Sequence, residues 1–145
     1  MKKQLTHILF LLLLGAVVCA CSGDIDIQQR YEFTVSHLPV PKRLKIGETA
    51  EIRCQLNRYG YYENTRYYIR YFQPDGEGIL KFADGKVLTP NDPFELPGES
   101  FRLYYTSTST DQQVIDCVFF DSFGTEFELS FSFNNDNKEE EEINH

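Results

Sequence analysis

Apolar and polar residues alternate with a period of two along most of the chain from residue 30 to residue 133. Turn-forming residues interrupt this alternation roughly every eight to twelve positions, a pattern typical of all-β sandwiches and barrels. The pattern predicts strands at residues 31–35, 52–56, 66–73, 79–83, 86–88, 101–105, 114–120 and 125–133. We therefore expect one domain over residues 30–133, an immunoglobulin-like antiparallel β-sandwich of about seven strands.

Turn residues mark two hairpins in this domain. Asp84-Gly85 separates two short apolar segments and suits a type I′ turn, which needs positive φ angles. Asp121-Ser122-Phe123-Gly124 separates the last two strands in the same way. Arg66–Gln73 carries aromatic residues on both faces, as expected of a strand near the middle of a sheet. No segment of the domain has helical spacing long enough to predict a helix.

Two cysteines lie on the predicted core-facing side of their strands. Cys54 is in the second strand and Cys117 in the penultimate one, where immunoglobulin-like sandwiches carry their inter-sheet bridge. A Cys54–Cys117 disulfide is therefore predicted. It would close a loop of 63 residues and stabilise the fold by roughly 4 kcal/mol in the chain-entropy model. Two buried free thiols are the alternative, and the absence of Trp departs from antibody-type domains.

The first 20 residues have the three parts of an export signal: cations at positions 2 and 3, the apolar run Ile8–Leu14 and a small-residue region ending at Ala20. The apolar stretch from Ile8 to Ala20 has 13 residues, fewer than the roughly 20 that a membrane-crossing helix needs. Val18-Cys19-Ala20-Cys21 resembles the lipobox of bacterial lipoproteins. Cys21 is therefore the predicted mature N-terminus and lipid-attachment residue. Plain secretion with cleavage after Ala20 is the alternative.

Polar segments are predicted on both sides of the domain. Residues 21–29 form a tether, in which Ser22–Asp26 resembles the surface-export signal of lipoproteins of the Bacteroides group; a simple solvated linker is the alternative. Residues 134–145 contain Glu139–Glu142 and a single aliphatic residue, Ile143. Such a segment buries too little apolar surface to order itself, which predicts a disordered acidic tail. It serves either as a solubilising end or as a docking arm for a basic partner.

Charge and length limit the classes of function. Removing residues 1–20 leaves 125 residues, enough for one domain, and the loss of Lys2 and Lys3 leaves 12 basic against 22 acidic residues, a net charge of −10. Because binding to phosphates depends on clustered Lys and Arg, we expect no direct contact with nucleic acid.

The residues offer little material for catalysis. Of the three histidines, His7 belongs to the export signal, His145 ends the tail, and His37 stands alone in a loop. There is no phosphate-binding glycine loop and no His or Cys set with metal-ligand spacing. We therefore expect no catalytic residues, no metal and no cofactor, and predict that the protein is not an enzyme.

One loop has the composition of a contact surface. Between the second and third predicted strands, Tyr59, Tyr61 and Tyr62 bring large contact area at little entropic cost, which makes this loop the candidate for partner binding. The alternative is that the tyrosines fold back over the end of the sandwich.

Several sequence blocks, spread in order over the whole predicted domain, resemble the TraQ-type lipoproteins of Bacteroides conjugative transposons: Asp26–Gln29, Phe33–Val35, Pro39–Pro41, Gly47–Thr49, Glu51–Cys54, Arg66–Tyr67, Ile69–Gly76, Pro90–Asp92, Phe101–Ser107, Ser109–Gln113 and Asp121–Gly124. The tyrosine-rich loop and the glutamate-rich tail do not match the family's pattern, so no function is carried onto them.

The resemblance implies an accessory role in conjugative DNA transfer. The expected protein is an outer-membrane lipoprotein of the cell envelope, held to the membrane by its lipid and in contact with other envelope proteins of a mating apparatus. A surface lipoprotein that binds carbohydrate or acts as an adhesin is the alternative, because a sandwich with exposed tyrosines suits that function as well.

Overall fold

A computed structural model describes residues 2–15 and 29–135. These residues form one helix and ten strands: α1 Lys2–Gly15, β1 Phe33–His37, β2 Arg43–Leu44, β3 Thr49–Arg58, β4 Tyr67–Asp75, β5 Gly78–Phe82, β6 Val87–Leu88, β7 Phe94–Glu95, β8 Ser100–Ser107, β9 Gln113–Asp121 and β10 Glu126–Asn135. Cys21, the predicted cleavage site, most of the tether and residues 136–145 of the predicted tail lie outside the described ranges.

Helix α1 contains the whole predicted apolar run Ile8–Leu14, because leucine is a strong helix former. Residues 2–10 are all exposed, including Leu9 and Phe10, so this part of the helix contributes nothing to the core of the domain. In the part of the chain that the structure describes, no helix is long and apolar enough to cross a membrane.

The ten strands form two five-stranded sheets. Sheet I has the order β1-β3-β8-β5-β6, and sheet II has the order β2-β10-β9-β4-β7. The seven strands of five or more residues then read β1-β3-β8-β5 and β4-β9-β10, which is the strand order of an immunoglobulin constant-type sandwich. All pairs are antiparallel except β2 with β10. The predicted all-β, immunoglobulin-like sandwich is confirmed.

The structure differs from the predicted boundaries at short pairings. Strands β2 and β7 have two residues each, too few to carry a visible alternation in the sequence. β10 continues two residues past the predicted end of the domain, because the Asn134 N–H donates to the Lys42 carbonyl (2.8 Å) and Asn135 pairs with Leu44. β4 lies second from the edge of sheet II, with only β7 beyond it, whereas its two-sided aromatics indicated a more central strand.

The core lies between the two sheets and follows the period-two pattern. Along β9, every second residue from Gln113 to Asp121 is buried and the residues between them are half-buried. The largest fully buried side chains come from both sheets: Tyr105, Phe119, Phe133, Leu44, Ile52, Ile69, Leu80, Leu88, Leu103 and Ile115. Removing this much apolar surface from water is the main stabilising contribution in a domain of this size.

A buried polar network joins the sheets at the end of the core away from the β3–β4 loop. The Tyr105 hydroxyl of β8 donates to Gln113 Oε1 of β9 (2.6 Å) and accepts from Gln73 Nε2 of β4 (2.8 Å). Gln113 Nε2 in turn donates to Ser107 Oγ (2.7 Å). The Tyr105 ring stacks on Phe133, with ring centroids 5.3 Å apart. A Cβ at Gly78 would lie 2.3 Å from the Tyr105 ring, so this position requires glycine.

We expect Tyr105→Phe to lower the free energy of unfolding by about 1–3 kcal/mol, because it leaves the buried Gln113 amide oxygen and the half-buried Gln73 amide without their hydroxyl partner. Tyr104→Phe is the matched control, since Tyr104 is half-buried on the outer side of the same strand and should change stability by less than about 0.5 kcal/mol. Urea unfolding of both variants measures the two changes in the free energy of unfolding. Equal effects of the two substitutions would show that the network contributes nothing specific.

Candidate functional site

The β3–β4 loop, residues 59–66, lies at the end of the sandwich where the N-terminal segment enters the domain. The Tyr59 N–H donates to the Glu32 carbonyl, just before β1 (3.1 Å). The ring of Tyr31 packs so closely against Gly60 that a Cβ there would lie 1.9 Å from it. The loop and the start of β1 are therefore packed together as one surface.

Arg58, the last residue of β3, holds this loop in place. Its guanidinium lies over the rings of Tyr61 (4.5 Å to the centroid) and Tyr67 (5.0 Å), and it donates to the Tyr62 carbonyl (3.1 Å). It also pairs with Glu99 across 3.5 Å, while only 15% of its side chain is exposed. A partly desolvated cation between two rings is more strongly attracted than one in water, which fixes the loop conformation.

The three tyrosines of the loop have two different environments. Tyr59 and Tyr61 are 73% and 67% exposed. Tyr62 is half-buried, and its ring meets Phe123 edge-on with centroids 5.9 Å apart. The structure thus combines both interpretations of the loop: Tyr62 folds over the end of the sandwich, and Tyr59 and Tyr61 present their rings to solvent.

The β9–β10 turn supports the tyrosine loop from the side. Asp121 is buried, and its Oδ1 accepts the N–H groups of Phe123 (2.9 Å) and Thr125 (2.8 Å). The Ser122 N–H donates to the Arg66 carbonyl (2.9 Å), and Ser122 Oγ accepts the Arg66 N–H (3.2 Å). Hydrogen bonding of this kind keeps the two loops in a fixed relative position.

Cys54 and Cys117 are both buried and both free in the structure, so the predicted bridge between them is not formed there. Burial raises the pKa of the Cys54 thiol to about 12. Burial also raises the pKa of Cys117, with a further contribution from the nearby Cys54. Tyr71 is directly opposite Cys117 on β4 and is buried, so a tyrosine stands where antibody-type domains pack a tryptophan against the bridge.

The described residues contain no group of three or more His, Cys, Asp and Glu side chains placed to hold a metal ion. His37 is the last residue of β1, and its ring centroid lies 4.8 Å from that of Phe131. It lines a shallow depression of about 400 Å³ together with Arg53 and Arg102, which Glu51 bridges at 3.1 and 3.0 Å. The Glu51 carboxylate therefore offsets the repulsion between Arg53 and Arg102 on neighbouring strands, and no bound ligand is needed to explain these two like charges.

A second aromatic surface, on the outer face of sheet II, was not identified from the sequence. Tyr68 and Phe120 stack there with ring centroids 5.3 Å apart, and the Arg70 guanidinium lies 5.1 Å from the Phe120 centroid. The aromatic residues on both faces of residues 66–73 were the available signal. That pattern by itself predicts a strand near the middle of a sheet and does not distinguish it from an exposed aromatic surface.

The fold defines a small immunoglobulin-like β-sandwich domain. Residues 4–136 match the TraQ conjugal transfer protein family, and the chain belongs to that family. The resemblance drawn from the sequence blocks is thereby confirmed. No protein of curated function matches this chain significantly.

Solved structures similar to the chain include three from Bacteroides species. A lipoprotein from Bacteroides thetaiotaomicron is 65% identical, with a TM-score of 0.68, over 84% of this chain and 94% of that one. A conjugative transposon lipoprotein from Bacteroides eggerthii is 45% identical, with a TM-score of 0.68, over 73% and 100%. A conjugate transposon protein from Bacteroides vulgatus is 47% identical, with a TM-score of 0.65, over 77% and 91%.

The Cys54–Cys117 disulfide stays a prediction, and we expect it in protein recovered from the envelope. The two thiols lie on facing sheets, and Cys54 is near enough to raise the pKa of Cys117. The measurement is mass spectrometry of a non-reducing digest, made after unfolding in excess alkylating agent. Linked peptides are expected, and alkylation of both cysteines in oxidised protein would contradict the bridge.

Proposed function

We propose that this protein is an envelope-anchored lipoprotein that acts as an accessory, protein-binding component of a conjugative transfer apparatus. Membership of a conjugal transfer family is the observation that carries the proposal. Relatives described as a conjugative transposon lipoprotein and a lipoprotein support the envelope location. The lipobox-like Val18–Cys21 is the basis for proposing an anchor at Cys21, and the outer membrane is the proposed location. The two or three acyl chains usual on a bacterial lipoprotein hold a domain of this size stably.

The tyrosine-bearing end is the proposed contact surface. Tyr59 and Tyr61 expose rigid rings on a loop that Arg58 already orders, so little entropy is lost when a partner covers them. Exposed aromatic residues on an ordered backbone are typical anchors of protein interfaces.

The anchor limits which partners can reach this end. Phe33 follows Cys21 by 12 residues, which span at most about 40 Å when fully extended. Because β1 begins beside the tyrosine loop, a lipid on Cys21 keeps that loop near the membrane surface. The partner is then another envelope protein close to the bilayer.

Catalysis and direct DNA handling are not part of the proposal. A mature net charge of −10 disfavours contact with the transferred strand. Glycan binding is the second candidate, and the exposed rings of Tyr59 and Tyr61 are what favours it.

We expect Cys21→Ser to abolish acylation and release the domain from the membrane fraction. Cys19→Ser is the matched control, because it removes a neighbouring thiol and leaves the lipid acceptor in place. Labelled palmitate and membrane sedimentation measure the outcome. A Cys21→Ser protein that still sediments with membranes, beside a wild type that takes up no label, would rule out the lipoprotein proposal.

We expect deletion of the gene to lower transfer of the element while excision and nicking of its DNA continue, because the domain acts outside the cytoplasm. In the complemented strain, Tyr59→Ala/Tyr61→Ala should lower transfer about tenfold or more, since loss of one aromatic anchor typically costs over 1 kcal/mol. Tyr104→Ala, on the outer side of sheet I, is the control and should transfer normally.

Protein levels are compared by immunoblot. Wild-type transfer in the deletion strain, or loss of excision together with transfer, would refute the mating-apparatus role. Normal transfer of the double mutant combined with lost glycan binding would favour the second candidate.

A further inference from the structure

The outer faces of the two sheets differ in chemistry. The outward positions of β1, β3 and β8 in sheet I are mostly polar, as expected of a solvated antiparallel sheet: Thr34, Ser36, Glu51, Arg53, Gln55, Asn57, Ser100, Arg102, Tyr104 and Thr106. Ile79 of β5 and Val87 of β6 are exposed apolar residues on the same sheet. The outward positions of β4 and β9 in sheet II are mainly apolar and aromatic: Tyr68, Arg70, Phe72, Val114, Asp116, Val118 and Phe120. A contiguous apolar area on one face of a small domain marks a contact surface.

The side chains of this face are already ordered. The Tyr68 and Phe120 rings stack at an interplanar angle of 20°, and Arg70 lies over Phe120. The Arg70 Nε atom is buried and has no hydrogen-bond partner among the described residues. Ordered aromatic and arginine side chains lose little freedom when a partner covers them.

Next to this stack is a cleft of about 440 Å³ in which two apolar side chains lie beside two carboxylates and a serine hydroxyl. The apolar side chains are Phe72, which is 37% exposed, and the half-buried Val118. Asp116 and Glu128 stand at its sides, and neither forms an ion pair within the described residues. Among the described residues, the side chain of Asp116 accepts a hydrogen bond from the Ser130 hydroxyl (2.7 Å) and from no other group.

We propose that the outer face of sheet II binds a protein partner through a lysine or arginine side chain of that partner. The methylene groups of this side chain lie on Phe72, and its charge meets Asp116 and Glu128. A long cationic side chain combines an apolar stem with a charged end, which matches the two parts of the cleft. The inference rests on the proposed function in one respect, that the partner is an envelope protein.

Charge excludes two other occupants of this face. Asp116, Glu126 and Glu128 face outward on β9 and β10, against the outward guanidinium groups of Arg70 on β4 and Arg43 on β2. Two copies of the chain that met through this face would bring like charges together, which costs several kcal/mol at an interface. An anionic lipid surface would be repelled for the same reason.

The face is continuous with the tyrosine-bearing end. Tyr62 contacts Phe123 in the β9–β10 turn, and Phe120 lies three residues earlier on β9. A partner that covers Tyr68 and Phe72 can therefore extend to the end of the domain that carries the tyrosine loop.

A direct test uses the full mature chain from residue 21, carrying Cys21→Ser, and two synthetic peptides. The probe is Gly-Leu-Lys-Phe-Lys-Gly, and the control peptide has glutamate in place of both lysines. Amide chemical-shift changes in NMR titrations should be largest around Phe72, Val118 and Glu128 with the lysine peptide and absent with the glutamate peptide. Shift changes spread over the acidic residues of both sheets, or no changes, would overturn the proposal.

Two matched pairs of variants locate the binding. Glu128→Lys should weaken binding of the lysine peptide about tenfold, because it places a like charge in the cleft. Glu77→Lys makes the same charge change at an exposed position away from the cleft and should alter affinity less than about twofold. Phe72→Ala is paired with Ile79→Ala, since their side chains are 37% and 39% exposed on opposite sheets. Equal effects within either pair would contradict the proposed cleft.

The transfer assay separates this inference from the proposed function. If deletion lowers transfer and Glu128→Lys lowers it as well, while Glu77→Lys does not, both stand. Lowered transfer on deletion with normal transfer of Glu128→Lys retains the accessory role and overturns this face as its contact surface. If deletion leaves transfer unchanged, the proposed function fails, and the peptide titration alone decides whether the face binds cationic side chains.

Discussion

Face-to-face packing of two sheets, through side chains that alternate with a period of two, is the constraint on which the rest of this molecule depends. A shift of any long strand by one residue would turn its buried set outward, so the pairing register is strongly specified. In β9 such a shift would expose Ile115, Cys117 and Phe119 together. The hydrogen bonds of Tyr105 to Gln113 and Gln73 add a directional requirement at one end of the core, which apolar packing alone does not impose.

This constraint leaves the outward positions free, and the two sheets use that freedom differently. In sheet I, an outward Arg53 and Arg102 share the carboxylate of Glu51, and the face resembles an ordinary solvated sheet. In sheet II, outward aromatic residues stack on one another and continue toward the tyrosine loop. The aromatic stack on the outer side of sheet II does not contribute to packing of the core. This is the reason for proposing that a partner binds there.

The packing of the two sheets also positions the proposed contact residues. Arg58 ends the ten-residue strand β3, which lies between β1 and β8 in sheet I, so its guanidinium is positioned by the sheet and in turn orders the loop that follows. The β9–β10 turn is fixed by the buried Asp121 in a similar way. Tyr59 and Tyr61 are thus exposed from a rigid support, which lowers the entropic cost of binding.

The sequence by itself determined the fold class, the seven long strands and the core-facing parity of Cys54 and Cys117. These follow from local periodicity, which each strand carries along its own length. Only the tertiary structure decided the short pairings of β2 and β7, because two residues show no period and gain their partners from β10 and β4. Only the tertiary structure separated Tyr62 from Tyr59 and Tyr61, since burial of Tyr62 depends on Phe123, 61 residues away in the chain. Only the tertiary structure identified the aromatic outer face of sheet II. Aromatic residues on both sides of β4 give the same sequence pattern whether a second layer or solvent lies on the outer side. The position of β4 in the sandwich leaves its outer side uncovered.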